Sequence, residues 1–156
     1  MQTTAKSLKV PLFRNGCDVI THHCIIKHDP PNSYGDCLRA AIASILECDR
    51  IEDVPHFLRD GDDERGQAEL RAFLLERGFR PFYVAFPNSV ALADIFAMMT
   101  AVNTDVDYLL FCQCGGGDHV VICRNDQMTH NPAWDNASIS GACSNGLWCV
   151  VVLARA

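Results

Sequence analysis

The strongest pattern in the sequence is a set of apolar residues at helical spacing, which follows directly after Gly35-Asp36-Cys37. Leucine, isoleucine and alanine recur at i, i+3, i+4, i+7 and i+8, at Leu38, Ala41, Ile42, Ile45 and Leu46. This period predicts an amphipathic helix whose apolar face packs on another layer. Cys37 stands in its first turn, where unpaired backbone N–H groups and the helix dipole favour a thiolate. A small buried cysteine that merely begins a core helix would fit the same position.

The chain as a whole indicates one soluble domain. Its 156 residues suffice for a core of its own, and we expect a single domain over 1–156, with 1–28 of undetermined structure. A net charge of −6 without a Lys/Arg cluster argues against nucleic-acid binding. No run approaches the roughly 18 apolar residues of a membrane span. Nine cysteines, an odd number, without a signal-like apolar run favour reduced thiols in the cytoplasm over a disulfide framework.

Periodicity and turn residues predict an α+β fold. Helices are expected from 38 to about 48, over 68–77 after an acidic turn at 60–64, and from 90 to about 99 after an Asn88-Ser89 cap. Strands are expected over 79–86, 108–112, 119–124, 127–130 and 147–153, with a short strand around 24–26 and a loop over about 133–145. The N-terminal helices, the Cys37 helix among them, would pack on a C-terminal antiparallel sheet.

A cysteine nucleophile needs a base, and the base needs a residue that orients it. His119 opens a predicted strand directly after a glycine turn, so its ring would sit at the edge of the sheet. Asn131 ends the next strand and could hold the imidazole in one tautomer. If Asn125-Asp126 forms a strict two-residue turn, however, His130 shares a face with His119 instead. A one-residue bulge would place Asn131 on the face of His119 instead, so both residues remain candidates.

Several segments together resemble small bacterial and phage papain-like proteins, which are similar in turn to the C39-type peptidases. The resemblance covers roughly residues 29–153 and rests on 34–43, 54–57, 118–125 and 129–132. It implies a papain-like fold and thiol protease chemistry, with Cys37 as nucleophile, His119 as base and Asn131 as orienting residue. This chain carries Asn at 131, where the family usually has Asp.

Other polar residues near the motif are candidates for auxiliary roles. An oxyanion hole would combine the Cys37 amide with a side-chain donor from the preceding loop. The glutamine usual in papain-like enzymes is absent there, and Asn32 is the nearest substitute. Asp36 fits a helix N-cap, although its charge would also raise the thiol pKa. The spacing of Cys112, Cys114, His119 and Cys123 lacks a Cys-x-x-Cys pair, so we expect no metal and no cofactor.

The expected function is a papain-like cysteine hydrolase that attacks a peptide, isopeptide or other amide through Cys37, His119 and Asn131. An acyltransferase would use the same residues. The alternative is a catalytically weak or inactive papain-like fold that serves as a protein-binding module or a phage-encoded host modulator. The partner is accordingly a peptide or protein substrate, or a host protein.

Overall fold

The structure is a computed structural model, and it describes residues 20–156. In this range the chain forms three α-helices, one short 3-10 turn and six strands, which confirms the α+β class. The helices are α1 (Cys37–Ile45), α2 (Asp63–Glu76) and α3 (Leu92–Val102). The strands are β1 (Phe79–Pro87), β2 (Asp107–Cys114), β3 (Gly117–Arg124), β4 (Gln127–His130), β5 (Ile139–Gly141) and β6 (Leu147–Arg155).

All the strands join one antiparallel sheet in the order β1-β6-β2-β3-β4, with β5 beside the end of β2. The central β2–β3 hairpin has a continuous register from Asp107 opposite Arg124 to Cys114 opposite Gly117. A bidentate ion pair fixes its open end, where the Arg124 guanidinium donates to both Asp107 oxygens at 3.0 Å. The glycine turn at the other end therefore delivers His119 to a defined place.

The sheet separates two apolar cores because successive residues of a strand point to opposite faces. Leu109 belongs to one core and Leu110 to the other. The first core is covered by α1 and α2 and contains Leu38, Ala41, Ile42, Leu70, Phe73, Leu74, Val120 and Val151. The second is covered by α3 and contains Ile95, Met99, Tyr108, Val121, Cys123 and Val150. The helix layer bearing Cys37 thus lies over β3 on the first face.

The helix predictions hold for the periodic segments and fail at some boundaries. α1 buries Leu38, Ala41 and Ile42 as predicted, but it ends at Ile45, shortly before Glu47 takes a positive φ of 51°. The predicted cap at Asn88-Ser89 is wrong, since α3 begins at Leu92 after Ala91. Asn88 instead donates its backbone N–H to Gly146 at 2.9 Å, which ties it to the loop before β6.

Two predictions about irregular segments are corrected. The segment around 24–26 pairs with no strand of the described chain, because its amides are taken elsewhere. Cys24 N–H donates to the Pro132 carbonyl at 2.9 Å, and the next two amides donate to a side chain near α1. The predicted loop 133–145 contains the short strand β5. Within residues 20–156, none of the helices has the length and apolar character needed to cross a bilayer.

Candidate functional site

The N-terminus of α1 keeps its backbone donors because Asp36 faces away from it. Asp36 stands at the N-cap position and is buried, yet its side chain makes no capping bond. Its carboxylate accepts instead from the amides of Ile25 at 3.1 Å and Ile26 at 3.0 Å. The predicted capping role of Asp36 is therefore wrong, and this carboxylate anchors the segment that precedes the helix. The first amides of α1 remain available to the thiol and to a ligand.

The Cys37 thiol is half-buried at the start of α1. Burial raises the pKa of this thiol to about 11, and the nearby Asp36 charge acts in the same direction. The backbone amides of Val120, Leu38 and Cys37 lower the pKa of the thiol, but by less than burial raises it. The expectation of a thiolate in the free protein is therefore wrong, because desolvation outweighs the helix terminus.

The Cys37 thiol lies against the part of β3 that is not paired with β4. β4 pairs with β3 from Arg124 to Ile122, so the backbone at His119 and Val120 lies beyond the last strand pair on that side. The Val120 amide, the first after His119, lowers the pKa of the Cys37 thiol. Cys37, His119 and Val120 also line one cavity of about 580 Å³. The start of the helix and the edge of the strand thus meet at this cavity.

A bulge in the β3–β4 hairpin decides which residue contacts His119. His130 lies opposite Ile122 and Met128 opposite Cys123, so the register shifts by one residue between them. The shift moves Asn131 to the side of His119, and the His119 Nε2 lies 2.8 Å from the Asn131 Oδ1. His130 instead lies with its Nε2 2.8 Å from the His22 carbonyl oxygen. Of the two candidates, Asn131 is the one in contact with the imidazole.

The hydrogen bonds of Asn131 fix the tautomer of His119. The Asn131 amide nitrogen donates to the Ala137 carbonyl at 2.8 Å, and its oxygen accepts from the Ala133 N–H at 2.9 Å. These two bonds determine the orientation of the side-chain amide. Since Oδ1 can only accept, the proton in its contact with His119 must sit on Nε2. The ring therefore carries its unshared electron pair on Nδ1.

Partial burial also determines the charge of His119. It lowers the pKa of the imidazole from its usual 6.5, although the Asn131 hydrogen bond and the Asp135 charge oppose the change. The base is consequently neutral at pH 7, and so is the Cys37 thiol. A neutral thiol and a neutral imidazole require a proton transfer during reaction, whereas an ion pair would already have made it.

The cavity extends from Cys37 across the first face of the sheet. Its apolar part is formed by Leu38, Leu58, Ala85, Phe111, Leu147 and Cys149. One wall is a stripe of α2 at i, i+4 and i+8, formed by Asp63, Gln67 and Arg71. Tyr83 donates its hydroxyl to the Gln67 Oε1 at 2.9 Å across this wall. An apolar floor with a few polar groups at its edges suits an extended organic chain.

Some residues that line the cavity could not be predicted from any sequence motif. Asp118 accepts hydrogen bonds from the amide of Ser144 at 2.7 Å and from its hydroxyl at 2.5 Å. These two hydrogen bonds hold the loop that carries Cys143 and Asn145 at the cavity. No motif joins these segments, which are far apart in the chain. Asn32, the predicted oxyanion donor, lies in an exposed turn, donates to Asp29 at 3.4 Å and is absent from the cavity lining.

Among the described residues 20–156, no group of three or more His, Cys, Asp or Glu side chains has an arrangement that could hold a metal ion. The Cys112 and Cys114 sulfurs are 3.8 Å apart, but Cys112 is fully buried on β2. The expectation of no metal and no cofactor stays a prediction.

No family model, no curated protein and no solved structure matches this chain. The resemblance to papain-like proteins thus stays a prediction that rests on the residues quoted for it.

Proposed function

We propose that this protein is a papain-like cysteine hydrolase that cleaves a peptide, isopeptide or other amide bond. The observation that carries the proposal is the His119–Asn131 contact, which fixes a tautomer with a basic Nδ1 on a residue that lines the same cavity as Cys37. A thiol at a helix start, an imidazole at a strand edge and an amide that orients the ring are the parts of a cysteine triad. The shared cavity supplies room for a substrate.

Acyl-enzyme formation would begin with transfer of the thiol proton to His119 Nδ1. The Cys37 sulfur forms a bond to the substrate carbonyl carbon, and the carbonyl π electrons move to its oxygen. The resulting tetrahedral species collapses as the carbon–nitrogen bond breaks, and the imidazolium gives its proton to the leaving amine. Asn131 accepts from Nε2–H throughout, so the ring keeps its orientation in both charge states.

The developing oxyanion would be stabilised by the start of α1. The Cys37 and Leu38 amides lower the pKa of the thiol and donate to no capping side chain. Backbone N–H groups at a helix N-terminus suit a developing negative charge. With Asn32 remote from the cavity, backbone donors replace the side-chain donor expected from the sequence.

Hydrolysis of the thioester reverses these roles. A water molecule gives one proton to the neutral His119 Nδ1 while its oxygen attacks the acyl carbon. The carbon–sulfur bond then breaks, the sulfur recovers the proton from the imidazolium, and a carboxylic acid leaves. An amine in place of water would give acyl transfer with the same residues, so the acceptor decides between hydrolase and transferase.

One observation favours the alternative, a papain-like fold that binds a protein partner without catalysis. Burial holds the pKa of Cys37 near 11, as it does for Cys143, which lines the same cavity. If the imidazole does not act on the sulfur, the two thiols should react alike. Comparing the reactivity of Cys37 with that of Cys143 therefore distinguishes a hydrolase from a binding module.

The test uses a peptidyl acyloxymethyl ketone with a leucine next to the electrophilic carbon, and intact mass with peptide mapping as the readout. We expect one adduct per chain on Cys37 in the wild type and in Cys143→Ser, and none in Cys37→Ser or His119→Ala. Equal modification of Cys37 and Cys143, or retention of the adduct in His119→Ala, would replace the hydrolase proposal with the binding module.

A further inference from the structure

The loop after β4 forms a chain of hydrogen bonds that ends at the imidazole. Asp135 accepts through Oδ1 from the Ala137 N–H at 3.1 Å. The Ala137 carbonyl accepts from the Asn131 amide at 2.8 Å, and the Asn131 oxygen lies 2.8 Å from His119 Nε2. Ala137 thus links the two side chains through two successive peptide groups, since its N–H and its C=O lie on either side of its Cα. The two bonds hold the Asp135 carboxylate and the Asn131 amide in one arrangement of the loop.

The second oxygen of Asp135 lies against the β2–β3 turn. A Cβ atom built on Gly115 would lie 3.4 Å from the Asp135 Oδ2, and this glycine has a φ of +60°. The carboxylate is therefore placed between its own loop and the turn that leads into His119. Asp135 also acts on the pKa of His119 and raises it, in opposition to burial.

Other ionisable groups neighbour His119 in the sheet or line its cavity. They are Cys37 on α1, Cys112 opposite His119 on β2, Asp118 beside it on β3, Cys143 on the loop before β6, and Asp63 and Arg71 on the α2 wall of the cavity. The three thiols have pKa values raised by burial, and the Asp118 carboxylate accepts hydrogen bonds from Ser144. Asp135 is linked to the ring by the hydrogen bonds of Ala137 and Asn131.

We infer that Asp135 is a positioning residue. It holds Ala137 and, through Ala137, the Asn131 amide, and its carboxylate supplies across space the negative charge that the neutral Asn131 lacks. The sequence carries Asn where the papain-like proteins that it resembles usually carry Asp, and Asp135 lies four residues further on. Its role is to hold the Asn131 amide in one orientation and to stabilise the imidazolium formed when the thiol gives up its proton. The inference rests on the proposed function for its catalytic meaning, but its electrostatic part can be measured separately.

Three variants separate charge from hydrogen bonding. Asp135→Asn keeps an oxygen that can accept from the Ala137 N–H but loses the charge. Asp135→Ala loses both. Asp126→Asn removes the same charge from an exposed position at the far end of the β3–β4 hairpin, and it serves as the control.

The readout is the NMR titration of the His119 ring, recorded in a Cys37→Ala background with the full chain. We expect the His119 pKa to fall by a few tenths of a unit in Asp135→Asn and to stay unchanged in Asp126→Asn. The shift should shrink at about 1 M salt, where the Debye length is about 3 Å. Asp135→Ala should in addition weaken the Nε2–H tautomer signal. An Asp135→Asn titration identical to the parent, or an equal shift in Asp126→Asn, would overturn the inference.

The reactivity of Cys37 is then measured in the same Asp135 variants with the native thiol restored. If the titration shifts and the acid limb of Cys37 alkylation moves with it, both the inference and the proposed function are supported. If the titration shifts while alkylation is insensitive to His119 altogether, the positioning role stands and the hydrolase proposal fails.

Discussion

The Asn131 side chain connects His119 to the loop after β4, with its oxygen 2.8 Å from the His119 Nε2 and its nitrogen donating to Ala137 at 2.8 Å. Asn131 is also among the few polar side chains buried in the described chain. The buried Asn131 amide therefore fixes the tautomer of His119 and also stabilises the loop after β4.

Asn131→Ala should reduce Cys37 reactivity and stability together. Without the amide, the imidazole loses its fixed tautomer, and we expect the rate of Cys37 acylation to fall roughly tenfold or more. The Ala137 carbonyl and the Ala133 N–H also lose their partner, which should cost about 1–3 kcal/mol in urea unfolding. His130→Ala is the control, because His130 contacts the His22 carbonyl and not His119. Loss of reactivity in His130→Ala but not in Asn131→Ala would reverse the assignment.

The sequence predicted the parts of the site whose signal is local. The period of Leu38 to Leu46 located α1, and the glycine turn located His119 at the start of β3. The choice between Asn131 and His130 depended on a bulge near Thr129, which no pattern in the sequence predicts. The rise of the Cys37 pKa comes from burial by distant segments. Likewise, Asp36 could not be distinguished from a cap, because its partners Ile25 and Ile26 lie in a segment without periodicity.

Replacing His119 should slow iodoacetamide labelling of Cys37 but not of Cys143. Burial raises the pKa of both thiols to about 11, and both line the cavity, so Cys143 reports general access. At pH 7.5 we expect Cys37 to react faster than Cys143 in the wild type and at a similar rate in His119→Ala. Peptide mapping after limiting labelling measures the two rates in one sample. A Cys37 rate no greater than that of Cys143 in the wild type would remove the nucleophile assignment.

The pH profile of Cys37 acylation should have its acid limb below pH 6.5. Burial lowers the pKa of His119 from 6.5, and a general base acts in its neutral form. The rate should therefore fall as pH drops through the lowered His119 pKa and stay level through neutrality. A preformed thiolate–imidazolium pair would instead keep its reactivity well into the acid range.

Asn131→Asp should shift the acid limb of Cys37 acylation in a defined direction. A carboxylate next to Nε2–H favours the imidazolium, so the His119 pKa should rise and the acid limb should move to higher pH. An unchanged acid limb in this variant would mean that another group controls the profile.

Asp36→Asn should weaken the fold and make the Cys37 thiol more acidic. The buried carboxylate accepts from Ile25 and Ile26, and its replacement leaves one or both amides poorly satisfied, at a cost of about 1–3 kcal/mol. Its charge raises the pKa of Cys37, so removing it should move the alkaline rise in Cys37 alkylation to lower pH. Asp118→Asn is the counterpart, because the Asp118 charge raises the pKa of Cys143. Each variant should shift its own thiol, and a shift of both thiols in either variant would contradict this assignment.

Filling the cavity should separate access of a peptide from access of a small reagent. Ala85 is exposed on β1 and lines the cavity across from α2, so a tryptophan there would occupy the space where an extended chain would lie. We expect Ala85→Trp to slow modification of Cys37 by the leucyl acyloxymethyl ketone strongly, while iodoacetamide labelling stays near the wild-type rate. Ala101→Trp, at an exposed position on α3, adds the same side chain away from the cavity and should change neither rate. If Ala85→Trp slows both reagents equally, the substitution has disturbed Cys37 itself, and if it slows neither, the substrate approaches the thiol by another route.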